Sequence, residues 1–255
     1  MENDFDIYVI NLDKDTNRLE KINNNLDNYI RIPGIYGQQE DFIKNNDIFY
    51  LSRYVCPKST IGCCMSHRLA TKTFLETSTK EYALILEDDA EPCFENYMEK
   101  INESIQNAPS DWDIIKLDYL PKYNIFDKTT YTKIPSLLLT AYIINKKSAE
   151  KILKNKIIYY PDIQINFMGL NIYNNPEIIF EQTWDEENHS NNRIQSVYNI
   201  FGYESWNFKA IRIFEKEYTF GDLFLFILIL IFILLLKINN GFFINSNKIE
   251  KIELQ

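Results

Sequence analysis

Tyr82-Ala83-Leu84-Ile85-Leu86-Glu87-Asp88-Asp89-Ala90-Glu91-Pro92 runs an apolar stretch straight into three consecutive carboxylates. A continuous apolar run of this length, closed by a turn signal, reads as a buried strand of a parallel sheet. In open α/β sheets, ligands bind beyond the carboxyl ends of such strands. Three acids there repel one another unless a cation or a cationic partner offsets them. Hard oxygen ligands suit Mg²⁺ or Mn²⁺, ions often held by one or two carboxylates plus substrate phosphates. The plainer reading is a solvated acidic turn. Side chains alternate along an extended segment. Glu87 and Asp89 are therefore predicted to share one face and a cation, with Asp88 on the other face making structural hydrogen bonds.

Working outward, the pattern alternates strands with helices. Phe5 to Leu12 is a β-branched apolar run, followed by a polar loop and a helix carrying Leu19, Ile22 and Leu26 at helical spacing. Arg18 falls at that helix start, where a cation opposes the macrodipole; it is either a solvated charge or a partner for a ligand phosphate. Tyr29 to Ile35 reads as a second short strand ending in Pro33-Gly34 turn chemistry. Residues 38–60 carry a weak pattern and are predicted to be irregular or to hold a short helix. A helix is predicted from Ile61 to about Thr77, with Ser66 and His67 in its first turns, where helix N-termini favour anions. Beyond the acidic strand come a helix over Phe94 to Ile105, strands over Trp112 to Tyr119 and Leu137 to Ile144, and a basic helix from Lys146. Asp162 follows Pro161 and reads either as a helix cap or as a general base. Glu177 to Gln182 is a late strand, and Trp184 to Asn192 a polar loop carrying His189.

The chain is acidic, with 36 Asp and Glu against 27 Lys and Arg, and shows no basic run. A nucleic-acid footprint is thereby excluded, although a phosphate ligand is not, because a metal can bridge acid to acid. The four cysteines form no spaced CxxC pairs and read as reduced structural thiols. Met1-Glu2-Asn3-Asp4 is too polar for a secretory signal. Near the other end, Leu223 to Leu236 is an unbroken run of Leu, Ile and Phe. It predicts a transmembrane helix over residues 220–238 with a short polar tail over 239–255, anchoring a catalytic domain over 1–215 on the cytosolic side.

Taken in order, these pieces resemble glycosyltransferase family 25. Ile7-Tyr8-Val9-Ile10-Asn11-Leu12 with Arg18 looks like its first strand and arginine. Gly62-Cys63-x-x-Ser66-His67 is similar to its GCxxSH helix, and Leu84-Ile85-Leu86-Glu87-Asp88-Asp89 to its acidic motif. Thr140 to Ile144 followed by Ala149 resembles its later strand and helix; Asp162, Gln182 and Ser190 match its C-terminal signature more loosely.

The resemblance implies an α/β, GT-A-like nucleotide-sugar-binding domain with a mostly parallel central sheet. It implies inverting transfer of a hexose, galactose or glucose, from a UDP-sugar to a glycan or protein hydroxyl, with Mn²⁺ or Mg²⁺ on Glu87 and Asp89. Asn11, Arg18, Ser66, His67, Glu87 and Asp88 would bind the donor. An inverting transfer needs a general base, for which Asp162 is the first candidate and Asp118 the second. The rival reading is an inactive relative that binds a glycan or a partner at the membrane.

Overall fold

The computed structural model describes residues 4–121, 129–183 and 204–235. They fall into two compact units, within Met1–His189 and within Ser190–Gln255.

The first unit is mixed α/β with a mostly parallel central sheet. Strand β1 (Phe5–Asn11) leads through helix α1 (Thr16–Asn25) to β2 (Ile30–Pro33). A short turn of helix, α2 (Ser52–Val55), precedes the long α3 (Lys58–Thr77), which leads into β3 (Tyr82–Glu87). Then follow β4 (Ala90–Pro92), α4 (Tyr97–Asn107), β5 (Ile114–Lys116), β6 (Ala141–Asn145), α5 (Lys146–Lys154), α6 (Pro161–Gln164), β7 (Ile172–Asn174) and β8 (Phe180–Gln182). The central sheet has the order β2-β1-β3-β6-β5-β7. Strand β6 runs against both its neighbours, and the other pairings are parallel.

Alternation along the strands loads both faces with apolar side chains, so each face takes its own layer of helices. Val9, Leu84, Leu86 and Ile143 pack with Ile22 and Leu26 at the α1 end and with Ile101 of α4. Tyr8, Ile10, Ile85 and Ile144 pack with Ala70 and Phe74 of α3 and Ala149 of α5. Leu84, Ile85 and Leu86 have no exposed surface; burying each such side chain contributes about 2 kcal/mol. One close approach sets the α3 position. A Cβ on Gly62 would lie 2.5 Å from the Ile35 carbonyl oxygen, and one on Gly37 only 1.9 Å from that of Lys58. Backbone meets backbone there, and no side chain fits.

Helix α3 starts at Lys58, three residues before the predicted start. Ser66 and His67 therefore lie mid-helix, and the argument from an anion-binding N-terminus does not apply to them.

The second unit holds the antiparallel strands β9 (Lys209–Ile213) and β10 (Lys216–Thr219), followed by a helix over residues 220–235. Of the membrane span predicted over 220–238, residues 220–235 are described, and they are helical. Among the described residues no helix is long and apolar enough to cross a membrane. Residues 236–238, the tail over 239–255, and the predicted loop with His189 and Ser190 lie outside the described residues.

Candidate active site at the carboxyl ends of the central strands

Parallel strands β1 and β3 align Ile10 with Glu87, so Asn11 and Asp88 follow side by side. Asn11 Nδ2 donates to Asp88 Oδ2 at 2.8 Å and to the Asp15 carbonyl at 3.1 Å. Arg31 of β2 donates to Asn11 Oδ1 at 3.0 Å, which orients that amide from its other end. Arg18, in the first turn of α1, lies 2.7 Å from Asp88 Oδ1 and 3.5 Å from Asp89 Oδ2. Burial disfavours the Arg18 charge, but Asp88 and Asp89 outweigh it and hold the guanidinium above its usual pKa. Burial likewise pushes Asp88 up despite Arg18 and Asn11.

The predicted face-sharing of Glu87 and Asp89 also needs correction. Alternation holds as far as the strand does. Leu84 and Leu86 face α1 and α4, while Ile85 faces α3. Glu87 follows Ile85 onto the α3 side and meets His67; Asp88 turns to Arg18 on the α1 side. The strand ends at Glu87, and Asp88 and Asp89 form a turn, so Asp89 is not bound by the pleat. Its carbonyl accepts from the Thr183 N–H at 2.8 Å and from the Thr183 hydroxyl at 3.1 Å. Its Oδ2 accepts from Gln182 Nε2 at 3.1 Å, and its Oδ1 is buried with no hydrogen-bond partner among the described residues. Burial and the neighbouring Glu87 push the Asp89 carboxyl up to about 7, against the pull of Arg18.

On the α3 side, His67 is held at both ring nitrogens. Nδ1 lies 3.0 Å from the buried Tyr142 hydroxyl and Nε2 lies 3.0 Å from Glu87 Oε1. Cys63 stands one turn before His67, and its sulfur, a His67 ring nitrogen and a Glu87 oxygen all lie within 4.8 Å of one another. Ser66 is committed elsewhere: its hydroxyl donates to the Gly62 carbonyl and accepts from the Ile35 N–H, each at 2.8 Å. It braces α3 against the segment after β2.

A third group lies on β5 and α6. Lys116 is fully buried, and its Nζ donates to the Ser136 carbonyl at 2.7 Å. Burial lowers its pKa to about 8, while Asp162 and Asp118 pull the other way. Asp162 Oδ2 accepts from the Leu138 N–H at 3.3 Å, and its Oδ1 is buried without a partner among the described residues. Leu138 sits at φ 70°, a left-handed conformation a bulky side chain rarely adopts. Burial raises Asp162, with Glu87 adding to the effect and Leu138 and Lys116 opposing it. Asp118, 2% exposed, accepts from the Gln182 N–H at 3.1 Å through Oδ2. The field of Glu87 thus reaches Cys63, Asp89 and Asp162, which puts these groups in one neighbourhood.

Cys63, Tyr142 and Lys116 were not legible as site residues. The i, i+4 spacing of Cys63 and His67 was the available signal for the first. Lys116 and Tyr142 read as ordinary strand residues, and only the cross-strand register, Lys116 beside Tyr142 beside Ile85, brings them to this end of the sheet.

The carboxylates gather at the strand ends of an α/β sheet, the place where ligands bind in open sheets of this class. The sequence profile of glycosyltransferase family 25 (LPS biosynthesis protein) matches residues 5–166. This chain belongs to that family. No curated protein matches it. Among solved structures, A197 from STIV is similar at 12% identity and a TM-score of 0.40, covering 71% of this chain and 86% of its own. A mutant Drosophila β-1,4-galactosyltransferase 7, in complex with manganese, UDP-Gal and xylobiose, is similar at 8% identity and a TM-score of 0.35, covering 77% and 78%. At these TM-scores neither likeness bears on the site.

Proposed function

We propose that this chain is a metal-dependent, inverting glycosyltransferase with a GT-A-like site. It would move a hexose from a UDP-sugar to a hydroxyl of a glycan or protein. The observation that carries this reading is Asp89: a half-buried carboxylate just past the carboxyl end of β3, beside Glu87, whose buried Oδ1 has no partner among the described residues. Buried polar atoms are rarely left unsatisfied, and a bound ion is a standard reason for the exception. The all-oxygen chemistry of Glu87 and Asp89 fits Mn²⁺ or Mg²⁺.

When bound, such an ion supplies positive charge against the diphosphate leaving group. The chain's own residues do the rest. Arg18 adds a second cation at the strand ends, anchored by Asp88 at 2.7 Å. Asn11, clamped by Arg31, keeps Asp88 in place. Asp162 is the better-supported base. A carboxyl raised by burial accepts a proton more readily near neutral pH, and its buried Oδ1 is without a partner among the described residues. Asp118 is the second candidate, with Oδ2 already held by the Gln182 N–H.

The test is a donor screen. UDP-galactose, UDP-glucose and other nucleotide-sugars are each incubated with and without Mn²⁺, and UDP release is scored. Mn²⁺-stimulated release from one UDP-hexose is expected. Release that is indifferent to Mn²⁺ and Mg²⁺ would remove the metal from the reading, and absence of release from every donor would remove the reaction.

A further inference from the structure

We infer that Cys63, His67 and Glu87 form a binding site for a borderline-soft divalent cation of the Zn²⁺ class, separate in chemistry from the hard-cation pair Glu87 and Asp89. The three ligand atoms come from a thiol, an imidazole and a carboxylate, and all lie within 4.8 Å of one another. Sulfur and nitrogen donors select Zn²⁺ and Co²⁺ over Mg²⁺, and three protein ligands leave a fourth tetrahedral position for water. Cys63 and His67 are one turn apart on α3, a 20-residue helix whose position is set by the Gly37–Gly62 contact. Both helical ligands are therefore on a rigid element.

The outer partner is also in place. A metal-bound histidine normally holds its other ring nitrogen in a hydrogen bond, which sets the ring's orientation and raises its affinity. His67 Nδ1 lies 3.0 Å from the Tyr142 hydroxyl, which is buried in the sheet. Nε2 faces Glu87. With an ion between Nε2, the Cys63 sulfur and Glu87, the Nδ1–H donates to Tyr142. The Cys63 thiol gives its proton to water as the sulfur–metal bond forms, and no redox partner is needed. Glu87, Asp89 and Asp162 all lie within electrostatic reach of Cys63, so the surroundings favour a cation. The consequence for turnover rests on the glycosyltransferase reading: an ion seated here draws Glu87 away from the harder cation, so Zn²⁺ inhibits transfer.

The test titrates the full chain with Co²⁺ and follows the thiolate-to-cobalt charge-transfer absorption. One equivalent should develop the band in the wild type. Cys63→Ser should abolish it, while Cys64→Ser retains it. Tyr142→Phe should keep the band but weaken Co²⁺ binding about tenfold. A wild type without the band, or a band that survives Cys63→Ser, would overturn the site. Asp89→Asn separates this inference from the function proposed above, since it should lose Mn²⁺-dependent transfer with the cobalt band intact. Zn²⁺ inhibition should be relieved in Cys63→Ser; equal inhibition of both proteins would overturn the competition.

Discussion

Asp88 and Asp89 are neighbours in the chain and opposites in circumstance. On the α1 side, Asp88 has one oxygen on Arg18 and the other on Asn11, itself clamped by Arg31. Facing the sheet end, Asp89 and Asp162 each keep a buried oxygen without a partner among the described residues, and both are pushed up by burial and by Glu87. The first arrangement is what a structural ion pair requires. The second is unstable by itself and becomes favourable when a ligand supplies charge or a proton. On the proposed reading, one acidic triplet serves architecture through Asp88 and chemistry through Glu87 and Asp89.

Substitutions that exchange these circumstances test the division. The largest effect is expected for Asp89→Ala: transfer should fall by at least on the order of 10³-fold, with the thermal midpoint little changed because a repelling carboxylate has been removed. Wild-type turnover in Mn²⁺ would place Asp89 on the structural side. Asp162→Asn comes next. Loss of the base should reduce turnover by roughly 10²- to 10³-fold while UDP-sugar binding, measured calorimetrically, persists. Loss of donor binding instead would move Asp162 out of the base role.

Lys116 sharpens the same contrast through pH. Its pKa is about 8 in the folded chain against 10.5 when unperturbed. Between those values the unfolded chain binds more protons, so stability rises with pH across the window; the burden is fully present below it and gone above it. The difference is worth about 3 kcal/mol at 1.36 kcal/mol per pKa unit. Denaturant unfolding should show this rise in the wild type and a flatter profile in Lys116→Met. Identical profiles would contradict the buried cation. The smallest effect is expected for Asp88→Ala. It frees Arg18, whose side chain is 17% exposed and retains Asp89 at 3.5 Å. A stability loss of about 2 kcal/mol is expected, below the range for breaking a fully buried pair. Unchanged stability with abolished donor binding would place Asp88 with the chemistry instead.

Much of the scaffold was legible because period and polarity reflect local physics. The apolar runs at Phe5 and Tyr82 and the second half of the run from Leu137 lie inside the sheet, as their pattern predicts, and the spacing of Leu19, Ile22 and Leu26 matches a helix. Boundaries were less legible. Lys58, Ser59 and Thr60 carry no apolar signal for a helix start, yet Gly37 and Gly62 lock backbone to backbone there, and α3 begins early. The run after Phe220 illustrates the opposite limit. Its composition suggested a span, and among the described residues no helix is long and apolar enough to cross a membrane.

By itself the sequence determined the order of strands and helices, the family, and the placement of Glu87-Asp88-Asp89 at a strand end, because each follows from neighbours in the chain. Which acid does what was decided only by the tertiary structure. The pleat controls Glu87, and the turn after it sends Asp88 and Asp89 to different partners. Partners from β1, α1, α3 and the Gln182 segment then determine whether each carboxylate is satisfied. Those partners are up to 93 residues away along the chain, and whether a buried charge is tolerated depends on distance in space, which no local pattern records.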